Sequence, residues 1–276
     1  MEVSGLRKTY GERKAVDGVD LRVAPGEVFA LLGPNGAGKT TTVEILEGYR
    51  ARDGGDVSVL GHDPAHATPA WRARVGIVLQ SVTDLSELTV TETVRHFAGY
   101  YPDPRDPDEV IATVGLTASA AQRARLLSGG QRRRLDVALG ILGRPELLFL
   151  DEPTTGFDPA ARRLFWELIE SLAREGTTIL LTTHYLEEAE RLADRVAVIA
   201  SGRILEVATP ATLGGRQHAL ATVSWTDGTG SRRSVRTAEP TRTVAEVAAT
   251  FEGEIPDLAV TRPTLEDTYL AMVGEQ

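Results

Sequence analysis

The sequence predicts an α/β fold built on a mostly parallel sheet, and three stretches carry that prediction. Each is a short apolar run that ends in polar residues and leads into a helical pattern. They are "GEVFALLG" (26–33) before "KTTTVEILEGY", "PELLFLDEP" (145–153) before "PAARRLFWELIESLAREG", and "GTTILLTTH" (176–184) before "YLEEAERLADR". Continuous apolar runs of this length suit strands buried on both faces, and strands alternating with helices imply parallel crossovers. Sheets of this kind bind ligands at the carboxyl ends of their strands. Three strand ends thus deliver Lys39, the pair Asp151 and Glu152, and His184 to one edge.

The remaining segments follow in order. From about residue 82 to 142 no comparable strand appears; the stretch reads as mainly helical, interrupted by the turn-rich "YPDPRDPDE" (101–109), and predicts a helical subdomain inserted between sheet strands. After "RVAVIASGRILEVATPATL" (195–213) the pattern changes near Gly214 and Gly215. There "ATVSWTDGTGSRRSVRT" reads as a hairpin turning around Asp227 to Gly230, and "VAEVAATF" as a short helix. The expected organisation is one large domain over 1–213, with its helical part at about 82–142, and a small accessory domain over 214–276.

Composition narrows the function. At 276 residues and 42% hydrophobic the chain has material for a sizeable core. Its net charge of −9 offers no positive field to draw it onto nucleic acid or anionic lipid. The absence of cysteine excludes disulfides, thiolate catalysis and sulfur-ligated metals, and is compatible with a reducing cytosol. The start has no apolar signal core, and no run approaches the roughly 18 apolar residues of a membrane span. The chain is therefore expected to be soluble, or held at a membrane by a partner.

Gly33, Gly38, Lys39 and Thr40 fit the phosphate-loop pattern G-x-x-x-x-G-K-[ST], with Pro34, Asn35, Gly36 and Ala37 inside it and Thr41 following. Glycines let backbone N–H groups turn toward phosphates, the lysine supplies a compact charge for the β/γ-phosphates, and the threonine hydroxyl ligates magnesium. Lys39 is one of only three lysines, with Lys8 and Lys14, in an arginine-rich chain. A point charge fits such a loop where a planar fork would not. Asp151, ending an apolar strand, is placed to hold magnesium directly or through water, and Glu152 to polarise an attacking water.

At "LSGGQ" (Leu127 to Gln131) the sequence resembles the ATP-binding cassette (ABC) ATPases, over about residues 1 to 210. The resemblance implies a P-loop NTPase sheet with an N-terminal antiparallel β subdomain and an inserted helical subdomain, to which the hairpin and helix read after Gly214 add a small α+β C-terminal domain. It also implies ATP and Mg2+ as cofactors, Tyr10 stacking on adenine, Gln80 sensing magnesium and γ-phosphate, Asp158 in the loop "TGFD", and His184 as a switch histidine helping to position Glu152. Ser128 is placed to cap a helix beginning near Gln131, with Gly129 and Gly130 exposing N–H groups as a γ-phosphate seat. Leu135, Leu139 and Leu142 fall on one face of that helix, and Arg132 to Arg134 read as a solvated run.

Two phosphate seats on one chain make sense if each is half of a site. The resemblance implies that two cassettes pair head to tail, a homodimer being the expectation, so that one copy's phosphate loop and the other's Ser128, Gly129, Gly130 and Gln131 enclose one ATP. Phe157 departs from the family's usual leucine, placing a larger ring near the dimer seam. "THYLEEAERLADRVAVIASGRI" and the tail "RPTLEDTYLAMVG" resemble the ATPase subunits of ABC-2 type exporters, including the drug and antibiotic self-resistance group. That implies separate multi-span permease subunits, docking on the region after Gln80, especially 81–100, and a peripheral place on the cytoplasmic face of the membrane. The rival reading is a soluble cassette acting on nucleic acid or ribosomes; the acidic balance and single cassette argue against it, and no nucleic-acid partner is expected. A guanine-nucleotide switch would need an "NKxD"-like reader, and Asn35 is the only asparagine.

Overall fold

A computed structural model of the chain describes residues 1–78 and 87–274. Gln80 and the start of the segment expected to dock a partner lie outside the described residues. The chain opens as an antiparallel pair, β1 (Glu2–Tyr10) and β2 (Arg13–Arg22), turning at Gly11. Val3 and Leu6 of the first strand and Val16, Val19 and Leu21 of the second point inward. Next comes β3 (Val28–Leu32), every residue of it buried, then the glycine loop and α1 (Lys39–Leu46). β4 (Gly54–Ser58) returns to pair with β1, completing a three-stranded antiparallel sheet in the order β2-β1-β4.

The short α2 (Pro69–Arg72) seats Trp71 in the core, its indole N–H donating to the Val59 carbonyl at 2.9 Å. It leads into β5 (Val75–Val78). The inserted helical part holds α3 (Val90–Ala98), α4 (Pro107–Thr113) and α5 (Gly129–Ile141), started by Thr89, Asp106 and Ser128 as caps. Small polar side chains before each first turn satisfy orphan N–H donors, which is why these helices begin where they do. The chain then alternates through β6 (Leu147–Asp151), α6 (Pro159–Arg174), β7 (Thr178–Thr183), α7 (Leu186–Leu192), β8 (Arg195–Ala200) and β9 (Arg203–Ala208).

These strands form a six-stranded sheet in the order β5-β6-β7-β3-β8-β9, and the pairs joining β5, β6, β7, β3 and β8 are all parallel. Phe149, Leu180 and Phe29 stand abreast on three neighbouring strands. They share one core with Val43, Ile45 and Leu46 of α1 and with the inward face of the antiparallel sheet. Each such buried aliphatic or aromatic side chain contributes roughly 1.5–3 kcal/mol. On the sequence after β6, α6 buries Phe165, Trp166, Leu168, Ile169 and Leu172, the one-sided spacing of a helix laid on a sheet.

A second compact unit begins at Ala208. It holds the hairpin β10 (Ala221–Thr226) and β11 (Arg232–Thr237), then α8 (Pro240–Ala248), β12 (Ala259–Thr261) and α9 (Leu265–Gly274), with strand order β11-β10-β12. Asp227 closes the hairpin turn by accepting from the Thr229 and Ser231 amides at 2.9 and 3.0 Å and from the Arg233 guanidinium at 2.7 Å. The division falls after Val207, a few residues before the boundary read from Gly214. Arg216 donates to the Pro210 carbonyl at 2.6 Å and to the Pro263 carbonyl at 3.3 Å, so the connecting segment folds with the second unit.

Candidate active site

The carboxyl end of β3 opens into the loop before α1. A Cβ at Gly33 would sit 2.3 Å from the Ile199 carbonyl oxygen of β8, and one at Gly38, where φ is +107°, 2.3 Å from the Ala15 carbonyl oxygen of β2. Only glycine lets the loop pass between those strands. The Gly202 amide donates to the Ala37 carbonyl at 3.0 Å and the Arg13 guanidinium to the Gly36 carbonyl at 2.7 Å, fixing the loop from outside. No side chain caps α1, so its first amides keep their donor capacity for an anion.

The loop forms one wall of a cleft of about 390 Å³. Asn35, Gly36 and Gly38 through Thr41 line it, together with Tyr10, Arg13, Ala15 and Glu152. Lys39 is 5% exposed, and its ammonium donates to the Gly33 and Pro34 carbonyls at 2.7 and 3.3 Å. Burial pulls its pKa down, while Glu152 and Asp151 counter that pull. Tyr10, at the end of β1, is 41% exposed, and the Arg50 guanidinium lies 5.4 Å from its ring centroid.

Because β6, β7 and β3 are neighbours in one parallel sheet, their ends gather at the same edge. Asp151 is buried and accepts a short hydrogen bond from the Thr182 hydroxyl, its register partner on β7. The Glu152 amide donates to that hydroxyl at 3.0 Å and to the Thr182 carbonyl at 3.1 Å. Glu152 itself has φ +44°, a left-handed conformation that costs a non-glycine residue about 1–3 kcal/mol and is found where function demands it. Its carboxylate lies 3.8 Å from the Lys39 ammonium and 3.4 Å from His184 Nδ1. The His184 ring rests on Tyr185 at 4.1 Å between centroids, and the Arg162 guanidinium lies 4.4 Å from the Tyr185 ring centroid.

The residues Ser128 to Gln131 are not among those lining the cleft. Ser128 caps α5, its hydroxyl accepting from the Gln131 amide at 3.2 Å while the Gln131 side chain accepts from the Ser128 amide at 2.9 Å. This reciprocal box closes the first turn at Gly129, two residues before the start read from sequence. Leu135 and Leu142 are buried as read, and Leu139 is half-buried.

One reading is corrected. Arg132 to Arg134 are not a solvated run: Arg133 is 8% exposed and donates to the Asp151 carbonyl at 2.6 Å and the Pro153 carbonyl at 3.1 Å, and Arg134 to the Gly115 carbonyl at 3.0 Å. A guanidinium inside a fold survives by satisfying backbone acceptors. Phe157 is 9% exposed and packs edge-to-face on Phe165 with centroids 5.7 Å apart. The adjacent Asp158 caps α6, accepting from the Ala160 and Ala161 amides at 2.9 Å.

Sequence reading missed Arg13, Thr182 and Glu47. Glu47 is buried behind Asp151, and burial, reinforced by the charges of Asp151 and Glu44, pushes its pKa up to about 8. Arg133 had a findable signal: it lies four residues before Val137 and eight before Ile141, on the buried stripe of α5. Thr182 had none, because its role comes from register between strands far apart in sequence.

A family model for the ABC transporter family matches residues 16–155. The chain is 37% identical over 301 aligned residues to the daunorubicin resistance ATP-binding protein DrrA3 of Streptomyces coeruleorubidus, covering 99% of this chain and 95% of that one. It is 46% identical over 217 residues to the Nod factor export ATP-binding protein I of Ralstonia nicotianae, covering 76% of this chain and 67% of that one. Among solved structures it resembles an ATP-binding subunit of an ABC transporter, with TM-score 0.69 at 27% identity over 77% of this chain and 90% of that one. A dimeric ATP-binding cassette in a post-hydrolysis state bound to ADP and Pi shares the fold, with TM-score 0.69 at 23% identity over 75% of this chain and 97% of that one. Identity of this level along nearly the whole chain establishes that the chain belongs to the ABC transporter family and is one of its ATP-hydrolysing cassettes.

Proposed function

We propose that the chain is the ATPase subunit of an ABC-2 type exporter of drugs or antibiotics, working as a head-to-tail pair of cassettes on the cytoplasmic face of the membrane. The relatives named for daunorubicin resistance and Nod factor export support the exporter branch. No helix among the described residues is long and apolar enough to cross a membrane, and in this reading separate multi-span permease subunits supply the path. Action on nucleic acid or ribosomes is not favoured.

One observation carries the paired mechanism. Gly129 is exposed at the start of α5, and a Cβ there would meet nothing within 4 Å. Glycine lowers helix stability, and nothing in this chain's own packing calls for it. A phosphate approaching that helix start from another molecule does.

Each residue then has a task. Tyr10 offers its ring to the base. Lys39, the amides of Asn35, Gly36 and Gly38 and those of Thr40 and Thr41 hold the phosphates. The Thr40 hydroxyl and the Asp151 carboxylate are hard oxygen donors suited to Mg2+, with Gln80 expected beside them. Bound there, Mg2+ would offset charge on the β- and γ-phosphate oxygens. Glu152 orients and deprotonates the attacking water, and His184, 3.4 Å away, holds Glu152 and reaches the γ-phosphate. The opposing copy's Ser128, Gly129, Gly130 and Gln131 close the site, with Asp158 at the seam.

The test is Ser128→Arg, read by equilibrium ATP binding and by ATP-driven pairing in a slow-hydrolysing background. Binding to the isolated chain stays within about twofold and pairing is abolished. Collapse of monomer affinity would place the stretch in its own chain's site. Recovery from solubilised membranes with a multi-span partner supports the exporter reading, and recovery with RNA or ribosomes instead overturns it.

A further inference from the structure

We propose that Arg133 is the positioning residue for Glu152, and that it ties the base to the helix whose start closes the opposing nucleotide. This rests on the role given to Glu152 above. The Arg133 guanidinium donates to the carbonyl before Glu152, that of Asp151, at 2.6 Å and to the carbonyl after it, that of Pro153, at 3.1 Å. Between those two anchors the Glu152 amide is held by Thr182 at 3.0 and 3.1 Å. The left-handed turn at φ +44° is therefore pinned from α5 through its flanking carbonyls and from β7 through its own amide.

Arginine is the side chain that performs this. Its planar fork reaches two carbonyls in fixed directions at once, while a lysine ammonium on a flexible stem cannot hold both directions. The arrangement is not explained by stability. Arg133 is 8% exposed, its acidic neighbour Asp136 stands 4.0 Å away, and a buried charge even when hydrogen-bonded seldom stabilises a fold more than an apolar side chain of similar size would. What the guanidinium secures is the geometry of the base.

The second half of the proposal follows from the helix. Arg133 lies four residues, or about 6 Å of rise, beyond Gly129 on the single 13-residue α5. A helix this short moves as one body, so seating its N-terminus on a γ-phosphate shifts the anchors of Glu152 in the same chain. Closure at one composite site is thereby transmitted to the base of the other.

The experiment is a double-mutant cycle of Arg133→Lys and Glu152→Gln, with kcat and KM for ATP from steady-state phosphate release and pairing from sizing in ATP. Arg133→Lys alone lowers kcat by about 10- to 100-fold, the cost of a reacting group misplaced by an ångström or less, with KM within twofold. In the Glu152→Gln background the same change lowers residual turnover by less than twofold, because the residue it acts through is gone, and ATP-driven pairing is retained. A purely structural role lowers turnover by the same factor in both backgrounds, or raises KM, and either result overturns the proposal. If Arg133→Lys fails to fold, as judged by its thermal melt, Arg133→Gln in the same cycle makes the same prediction. Near-wild-type turnover by Glu152→Gln alone would overturn the role of Glu152, a failure the single variant reveals before Arg133 is touched.

Discussion

Asp136→Asn tests whether the charge buried on α5 stabilises the fold or burdens it. Asp136 is 8% exposed, one of its carboxylate oxygens has no hydrogen-bond partner, and Arg133 stands 4.0 Å away. Burial pushes its pKa up to about 7, against the opposing pull of Arg133 and Arg132. A carboxyl whose folded pKa lies above its unfolded value contributes stability that is fully present below the unfolded value. That contribution is lost as pH rises through the folded one. Between the ordinary 3.8 and about 7, at about 1.4 kcal/mol per pH unit, the loss amounts to about 4 kcal/mol as a ceiling. Asparagine keeps the shape and never ionises. The stability of Asp136→Asn relative to wild type should therefore rise by about 2–3 kcal/mol between pH 4.5 and pH 8, once relaxation around the charge is allowed for. Urea unfolding of both proteins across that range measures it. A relative stability that is flat with pH, or that falls because the variant lost a useful ion pair, would refute the reasoning.

Three further outcomes follow from the cleft. Glu152→Gln should bind ATP within about threefold of wild type while steady-state phosphate release drops about a thousandfold or more, the scale of losing a central group in phosphoryl transfer; release near the wild-type rate removes Glu152 as the base. Tyr10→Ala should raise the Kd for ATP by about 5- to 150-fold, the cost of about 1–3 kcal/mol of base stacking, and leave pyrophosphate binding unchanged; titration calorimetry with both ligands separates base from phosphate recognition. Gly38→Ala should abolish ATP binding, because its Cβ would lie 2.3 Å from the Ala15 carbonyl at φ +107°; retained binding would mean that the loop is not fixed against β2.

The strands β3, β6 and β7 were legible because a parallel strand buried on both faces must be apolar at every position, a pattern that survives without neighbours. The antiparallel sheet was not read from the residues and came only from family resemblance. Register shifts in β1, between Ser4 and Arg7 among others, break the alternation that would mark a half-buried strand. Arg133 was misread for a different reason. Its neighbours Arg132 and Arg134 make a charged run, and a run of charge hides the one member whose helical position turns it inward.

By itself the sequence determined the chemical parts of this protein: the loop that meets phosphate, the acidic pair after a strand, the capped glycine helix start, and the histidine at a strand end. Each needs certain residue types at short fixed spacings, so each is written locally. The tertiary structure alone decided which parts meet. Neighbouring parallel strands put Gly33, Asp151 and His184 at one edge and gave Asp151 and Glu152 a common partner in Thr182. The same packing left Ser128 to Gln131 outside the cleft and brought the Arg133 fork onto the carbonyls beside Glu152. Those relations join residues from 18 to 31 positions apart or more, and no local spacing encodes them. They follow from strand order and register, which the whole core sets at once.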